Sequence, residues 1–273
     1  MIDLKKELSA NAVDTPVGKL MTYFKSGQRT ILFLSGIGDF STKENFAPVL
    51  QSLPESLGIL TIDYPNIGGS SIQDQSSYHF QDWIDSIIMV LNHYQVSDYI
   101  LVVHSIAGLL GLKLVETVAG CKGFVGIEPT TVAILTGEIF YPEFDKVSKQ
   151  VAKIGFEPYF RAISKRGMSA EYHHNLWQSF AENQLKYDKV NSRSFQFYPS
   201  LEDGDLTKLG SLPSHLPSVI LSQSFREKEY LNSEYKTDHS SSQMILAGDS
   251  HYLHWTESSL IAEVIVVMHE GIE

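Results

Sequence analysis

The chain has 273 residues, of which 43% are hydrophobic and 19% charged, and it carries a formal net charge of −11. That length and apolar content bury a substantial core as one domain with an insertion, or as two modest domains. The acidic balance excludes nucleic acid and anionic membrane as main partners, because both demand a basic face, and leaves a small molecule as the expected partner.

Cys121 is the single cysteine, so no internal disulfide forms, and Met1 to Glu7 lacks the apolar centre of a signal peptide. No run approaches membrane-spanning length. A cytoplasmic location is expected, with no membrane partner and the oligomeric state left open.

Glu7 to Asp14 and Lys19 to Lys25 read as short strands joined across Thr15-Pro16-Val17-Gly18, an antiparallel hairpin at a sheet edge. Thr30 to Leu34 is a buried strand. It ends in Ser35-Gly36-Ile37-Gly38-Asp39-Phe40, whose glycines either let backbone N–H groups face a ligand or make a tight turn only. Lys43 to Leu53 carries Phe46, Val49, Leu50 and Leu53 at helical spacing, and Pro54 limits its extension. Gly58 to Asp63 is the next strand, followed by the loop Asp63-Tyr64-Pro65-Asn66-Ile67-Gly68-Gly69-Ser70-Ser71. Phe80 to His93 is a helix with Trp83, Ile84, Ile87, Ile88 and Leu91 inward. This alternation of strand and helix belongs to a parallel sheet.

Ile100 to Val103 is aliphatic without polar alternation, which suits a strand buried on both faces, and Ile106 to Val115 resumes at helical spacing. The turn between them has no spare residues. Such a turn pushes the Ser105 hydroxyl out of the sheet and aims the following N–H groups at whatever the hydroxyl attacks. The alternative is a serine that merely caps the helix.

Val103-His104-Ser105-Ile106-Ala107-Gly108 resembles the nucleophile elbow of the α/β-hydrolase-fold family, small-x-nucleophile-x-small. Val103 stands where a glycine is usual, and its branched side chain crowds the turn; His104 is read as packing. The resemblance extends to two loops. Ser35-Gly36-Ile37-Gly38 is similar to the His-Gly-x-Gly stretch that supplies an oxyanion-hole donor, which implies the Ile37 N–H, with the Ile106 N–H as the second. Residues 63–71 resemble the family's Asp-x-Pro-Gly-x-Gly-x-Ser loop, with Asn66 in place of the first glycine.

Gly123 to Ile127 is a further buried strand that delivers Glu128 and Pro129 at its carboxyl end, where ligands of open α/β sheets gather. From Thr130 to about Leu212 the pattern turns helical and aromatic, as in Glu143 to Ile154 and Glu171 to Gln184. By resemblance this is a cap. Phe140, Tyr141, Phe144, Phe156, Tyr159, Phe160, Tyr172, Trp177 and Phe180 either line an apolar pocket or form the cap's own core. His173-His174 lacks a third ligand at metal spacing, so neither metal nor cofactor is expected. Pro217 to Ser222 and Gln243 to Ala247 return to sheet. The loop Gly248-Asp249-Ser250-His251-Tyr252-Leu253-His254-Trp255 precedes a helix with Leu260, Ile261, Val264 and Val267 inward.

The expected architecture is a mostly parallel α/β-hydrolase sheet flanked by helices, with an N-terminal antiparallel hairpin and a helical cap insertion. Its parts are a core over 1–130, the cap over 131–212 and the rest of the core over 213–273. A serine hydroxyl needs an imidazole to take its proton and a carboxylate to orient that imidazole. The family's Gly-x-x-His loop implies His251 as the base. Two positions suit the acid. Glu128 ends a buried strand twenty-three positions after Ser105, a separation some family members use; Glu227, with Glu229 as the next candidate, lies in the later loop where most of the family carry the acid, and the two are otherwise a solvated cluster with Arg226 and Lys228. Glu128 is preferred. The expected function is a serine hydrolase of esterase type acting on a small apolar acyl compound, with Ser105, His251 and Glu128 as catalytic residues. Peptidase, thioesterase, lactonase and carbon–carbon hydrolase activities use the same residues. The alternative is a weakly active or silent member of the fold that binds a ligand under the cap.

Overall fold

Buried aliphatic runs lie at the centre of the sheet and more polar ones at its edges. The computed structural model describes Leu4 and residues 7–36, 38–71, 79–190 and 209–272. The strands are β1 (Ser9–Thr15), β2 (Gly18–Lys25), β3 (Thr30–Leu34), β4 (Gly58–Ile62), β5 (Tyr99–His104), β6 (Cys121–Ile127), β7 (Ser218–Ser222) and β8 (Gln243–Leu246). Their order across the sheet is β1-β2-β4-β3-β5-β6-β7-β8. The first two contacts, β1 with β2 and β2 with β4, are antiparallel, and the remaining ones are parallel. The α/β-hydrolase architecture with its N-terminal hairpin is therefore realised.

The helices are α1 (Thr42–Ser52), α2 (Phe80–His93), α3 (Ala107–Thr117), α4 (Val132–Leu135), α5 (Pro142–Ile154), α6 (Phe156–Gly167), α7 (Ala170–Val190), α8 (Glu227–Tyr230), α9 (Leu253–Thr256) and α10 (Ser258–Glu270). Successive side chains of the central strands point to opposite faces. Leu32, Leu34, Leu101 and Val103 pack beneath α2 and α3 with Trp83, Ile84 and Leu110. Ile31, Phe33, Ile100 and Val102 pack beneath α1 and α10 with Phe46, Leu50, Ile261 and Ile265. Helices thus cover both faces, which explains why β3, β4 and β5 are buried at every position.

Several boundaries differ from those read in the sequence. β1 begins at Ser9 rather than Glu7, and α7 continues beyond Gln184 to Val190. α1 stops at Ser52 because Leu53 must adopt an extended backbone, φ −76°, ψ 149°, before Pro54. On α10, Val267 is 61% exposed instead of inward, and the buried stripe is Ile261, Val264, Ile265 and Met268. Those four follow the i, i+3, i+4, i+7 pattern, whereas Val267 falls a third of a turn to one side.

The pairing register decides what gathers at the carboxyl edge. Leu34 lies opposite Val103, Val103 opposite Gly126, Gly126 opposite Ile220, and Ser222 opposite Leu246. The loops that follow these strands therefore emerge side by side, bringing Gly36, Ser105, Glu128, Gln223 and the 248–252 loop together.

Candidate active site

Ser105 occupies the left-handed region at φ +56°, between β5 and α3. A non-glycine residue there costs roughly 1–3 kcal/mol, and the surroundings must hold it. They do so through the backbone: the Ser105 N–H donates to Ile127 O at 3.1 Å, and its carbonyl accepts from the Gly108 and Thr130 N–H groups, both at 2.9 Å. Gly108 is required because a Cβ there would collide with Tyr235 and Pro129. The crowding expected from Val103 is relieved on α3, where a Cβ on Gly111 would stand 3.1 Å from Val103 Cγ1. Asn66 likewise takes the place of a glycine by adopting φ +68°, a conformation that asparagine tolerates better than most residues.

The backbone at Gly36 lies against this turn; an added Cβ would be 2.7 Å from Ser105 Cβ and 2.9 Å from His104 Nδ1. Ile37 lies outside the described residues. Among the described residues, no acceptor takes the Ile106 N–H.

Glu128 is fully buried and, like Ser105, held at positive φ, +46°. Its Oε1 accepts from Ser222 Oγ at 2.8 Å and from the Gln223 N–H at 2.5 Å. Its Oε2 accepts from Arg226 Nη1 at 2.8 Å and lies 3.4 Å from His251 Nδ1. Burial pushes the Glu128 carboxyl up, but the His251 contact, the Arg226 charge and the Gln223 N–H outweigh that and hold it below its ordinary value. Glu227 is exposed at the start of α8. Glu229, read in the sequence as part of a solvated cluster, is buried: Arg226 donates to it twice, Nε at 2.9 Å and Nη2 at 2.6 Å, and Thr131 Oγ1 donates at 2.7 Å.

Arg226, Ser222 and Gln223 are the site neighbours that sequence reasoning missed. One signal was available for Arg226: a glutamate ending a fully buried strand requires a cation or several donors nearby.

His251 is half-buried in the loop after β8, and its carbonyl accepts from His104 Nε2 at 3.1 Å. His254 is fully buried and packs on Phe46, with Nε2 3.0 Å from Asn45 Oδ1, which also accepts from Trp255 Nε1 at 2.8 Å. Burial first, then the neighbouring histidines, hold His104 and His254 well below the ordinary histidine range, so both are neutral.

Ser105 and His251 open onto one cavity of about 360 Å3, walled by Phe144, Tyr159, Phe160, Phe225 and Tyr252 among others. Trp177 and Phe180, by contrast, pack with Phe40 and Trp255 in an aromatic cluster behind that wall, with which it shares Tyr252 and Phe160. Of the described aromatics in 131–212, Phe144, Tyr159 and Phe160 line the pocket, Trp177 and Phe180 pack internally, and Phe140 is exposed. At the cavity wall Asp249 is gripped by both Nη groups of Arg166, at 2.8 and 2.9 Å.

The model of the α/β-hydrolase fold family matches residues 29–150. The crystal structure of Smu.1393c from Streptococcus mutans is 34% identical and superposes with a TM-score of 0.89, covering 97% of this chain and 99% of that one. The chain belongs to the α/β-hydrolase fold family. Epoxide hydrolase VrEH1 from Vigna radiata shares 14% identity at a TM-score of 0.67, covering 97% of this chain and 98% of that one. The N-acyl homoserine lactonase AidH shares 14% identity at a TM-score of 0.64, with the same coverage of 97% and 98%. These two likenesses show the fold alone. No curated protein sequence matches the chain. Among the described residues, no helix is long and apolar enough to cross a membrane.

Proposed function

We propose that this protein is a serine hydrolase that cleaves a small, largely apolar carboxylic ester or lactone through an acyl-serine intermediate. The observation that carries the reading is the placement of Ser105, on a left-handed turn, and His251, paired with Glu128, on the wall of one cavity.

In this reading the neutral His251 takes the Ser105 Oγ proton as the oxygen attacks the substrate carbonyl, and returns it to the departing alcohol. Glu128 holds the imidazole with its proton on Nδ1 and stabilises the imidazolium. The Ile106 N–H, free of any acceptor among the described residues, and the Ile37 N–H receive the oxyanion. Water, activated by the same imidazole, then releases the acid. The segment 131–212 serves as the cap, contributing Ile134, Phe144, Val147, Tyr159, Phe160 and Ile163 to the pocket. A single half-buried Cys121 suits a reducing cytoplasmic setting.

Chemistry separates the structural neighbours. A serine that opened an epoxide would be left as an alkyl ether, with no carbonyl for water to attack, so the enzyme would not turn over. A lactone leaves an ordinary acyl-serine. Acyl compounds are therefore the substrate class, and epoxides are not.

The test pairs a fluorophosphonate probe with a chromogenic short-chain ester. Labelling at Ser105 with ester turnover is the expected result. A clean negative on both would overturn the enzyme reading in favour of a protein that binds a ligand under the cap.

A further inference from the structure

The carboxylate of Glu128 is claimed twice. Its Oε2 faces His251 Nδ1 at 3.4 Å and accepts from Arg226 Nη1 at the shorter 2.8 Å. Arg226 is 2% exposed and Glu128 fully buried, so solvent screens this pair little. An arginine alone in that position would neutralise Glu128 and blunt its hold on an imidazolium.

A second carboxylate opposes it. Glu229, 4% exposed, receives two donors from the same guanidinium, Nε at 2.9 Å and Nη2 at 2.6 Å. Thr131 Oγ1 fixes Glu229 from the other side at 2.7 Å. The remaining guanidinium hydrogen bonds go to carbonyls, Pro129 O at 3.2 Å and Glu128 O at 3.4 Å, and its face lies over the Tyr230 ring at 4.6 Å. Two carboxylates and one guanidinium leave a net charge of −1, and an imidazolium beside them makes the cluster neutral.

We infer that Glu229 is a positioning residue of the active site, acting through Arg226 to keep Glu128 effective as the partner of His251. It touches neither His251 nor the cavity space where substrate sits. By taking two N–H groups of Arg226 it leaves the negative charge of the cluster available to the imidazole. The inference rests on the triad reading above.

The other groups facing His251 leave this balance to the cluster. His104, from the end of β5, and His254, beyond its own loop, are neutral; Asp249, in that loop, is gripped by Arg166 from α6; Tyr252 presents its ring. Glu143 of α5 lies on the cavity wall beside Lys146, 3.8 Å away.

The experiment follows the His251 ring through a pH titration by NMR, with the resonance assigned from its loss in His251→Gln. In Glu229→Gln the midpoint moves to lower pH by about one unit, tenfold in proton affinity. Glu229→Asp, which keeps the charge on a shorter stem, moves it the same way by less. An unmoved midpoint in a folded Glu229→Gln, whatever its melting temperature, overturns the inference. Should Glu229→Gln fail to fold, the Glu229→Asp midpoint decides in the same manner. The readout needs no turnover, so it stands apart from the hydrolase reading, which fails instead if Ser105→Ala keeps ester activity.

Discussion

Gly36 stands against Ser105 so closely that a Cβ at position 36 would come within 2.7 Å of the serine Cβ. The contact is between backbone of the β3 loop and the turn after β5, and neither can retreat, because the Ser105 backbone is already bonded to Ile127, Gly108 and Thr130. Gly36→Ala is therefore expected to lower stability by about 1–3 kcal/mol. It should also cut turnover by about 10², since displacing a reacting group by around an ångström costs that much. Urea unfolding and ester kinetics on the same preparation check both numbers; a variant with wild-type kinetics would show that the turn does not depend on this approach.

Ser105 holds a strained backbone, and its two shortest replacements separate strain from chemistry. Ser105→Ala and Ser105→Gly are both expected to lose roughly 10⁴ to 10⁶ in turnover, as removal of a nucleophile does. Only glycine adopts φ +56° freely, so Ser105→Gly should be the more stable of the two by about 1 kcal/mol. Equal stability of the two variants would mean that the turn relaxes when the hydroxyl is removed.

The parallel sheet was legible because Ile31 to Leu34 and Ile100 to Val103 are apolar on both faces, a pattern with few other readings. The glycine replacements at Val103 and Asn66 were legible as departures, but their accommodation was not. That depends on Gly111, a turn of helix away, and on a backbone angle at Asn66. The neighbours of Glu128 were hidden for a different reason. Arg226-Glu227-Lys228-Glu229 reads as a solvated run, and the burial of its first and last members arises from Glu128 and Thr131, about a hundred residues earlier. His254 was equally opaque, since its partner Asn45 lies at the far end of the chain. Long-range polar pairing leaves no local periodicity to read.

Glu128 and Glu227 offer a contrast between two glutamates. Glu128 lies 3.4 Å from His251 Nδ1 and is buried, with Ser222, Gln223 and Arg226 also on its carboxylate, whereas Glu227 is exposed on α8. Glu128→Gln is expected to reduce kcat by about 10² or more, and Glu227→Gln to leave it near wild type. The first change also strips Arg226 of one of its two carboxylates, and breaking a buried pair of this kind costs about 3–5 kcal/mol. Activity must therefore be compared at a temperature where far-ultraviolet circular dichroism shows both variants folded. The reverse ranking of kcat would move the acid to the later loop.

Asp63 ends β4 fully buried, where its carboxylate accepts from the Thr42 N–H at 2.7 Å and from Ser41 Oγ at 3.0 and 3.1 Å, anchoring the start of α1. Burial is the largest influence on it and raises the carboxyl from 3.8 to about 6, against the opposing effect of those hydrogen bonds and of Lys43. The sign of the consequence follows from proton counting. Between about pH 4 and 6 the unfolded chain has released this proton while the folded chain retains it, so this group's contribution to stability falls as pH rises and stays reduced above the folded value. The full difference amounts to about 3 kcal/mol. Asp63→Asn keeps an acceptor for Thr42 and Ser41 but carries no proton to release. Its stability relative to wild type should therefore improve by about 2 kcal/mol between about pH 4 and pH 7, measured by urea unfolding at both values. A gap between the two proteins that stays constant across that range would show that Asp63 is as readily ionised in the fold as in the open chain.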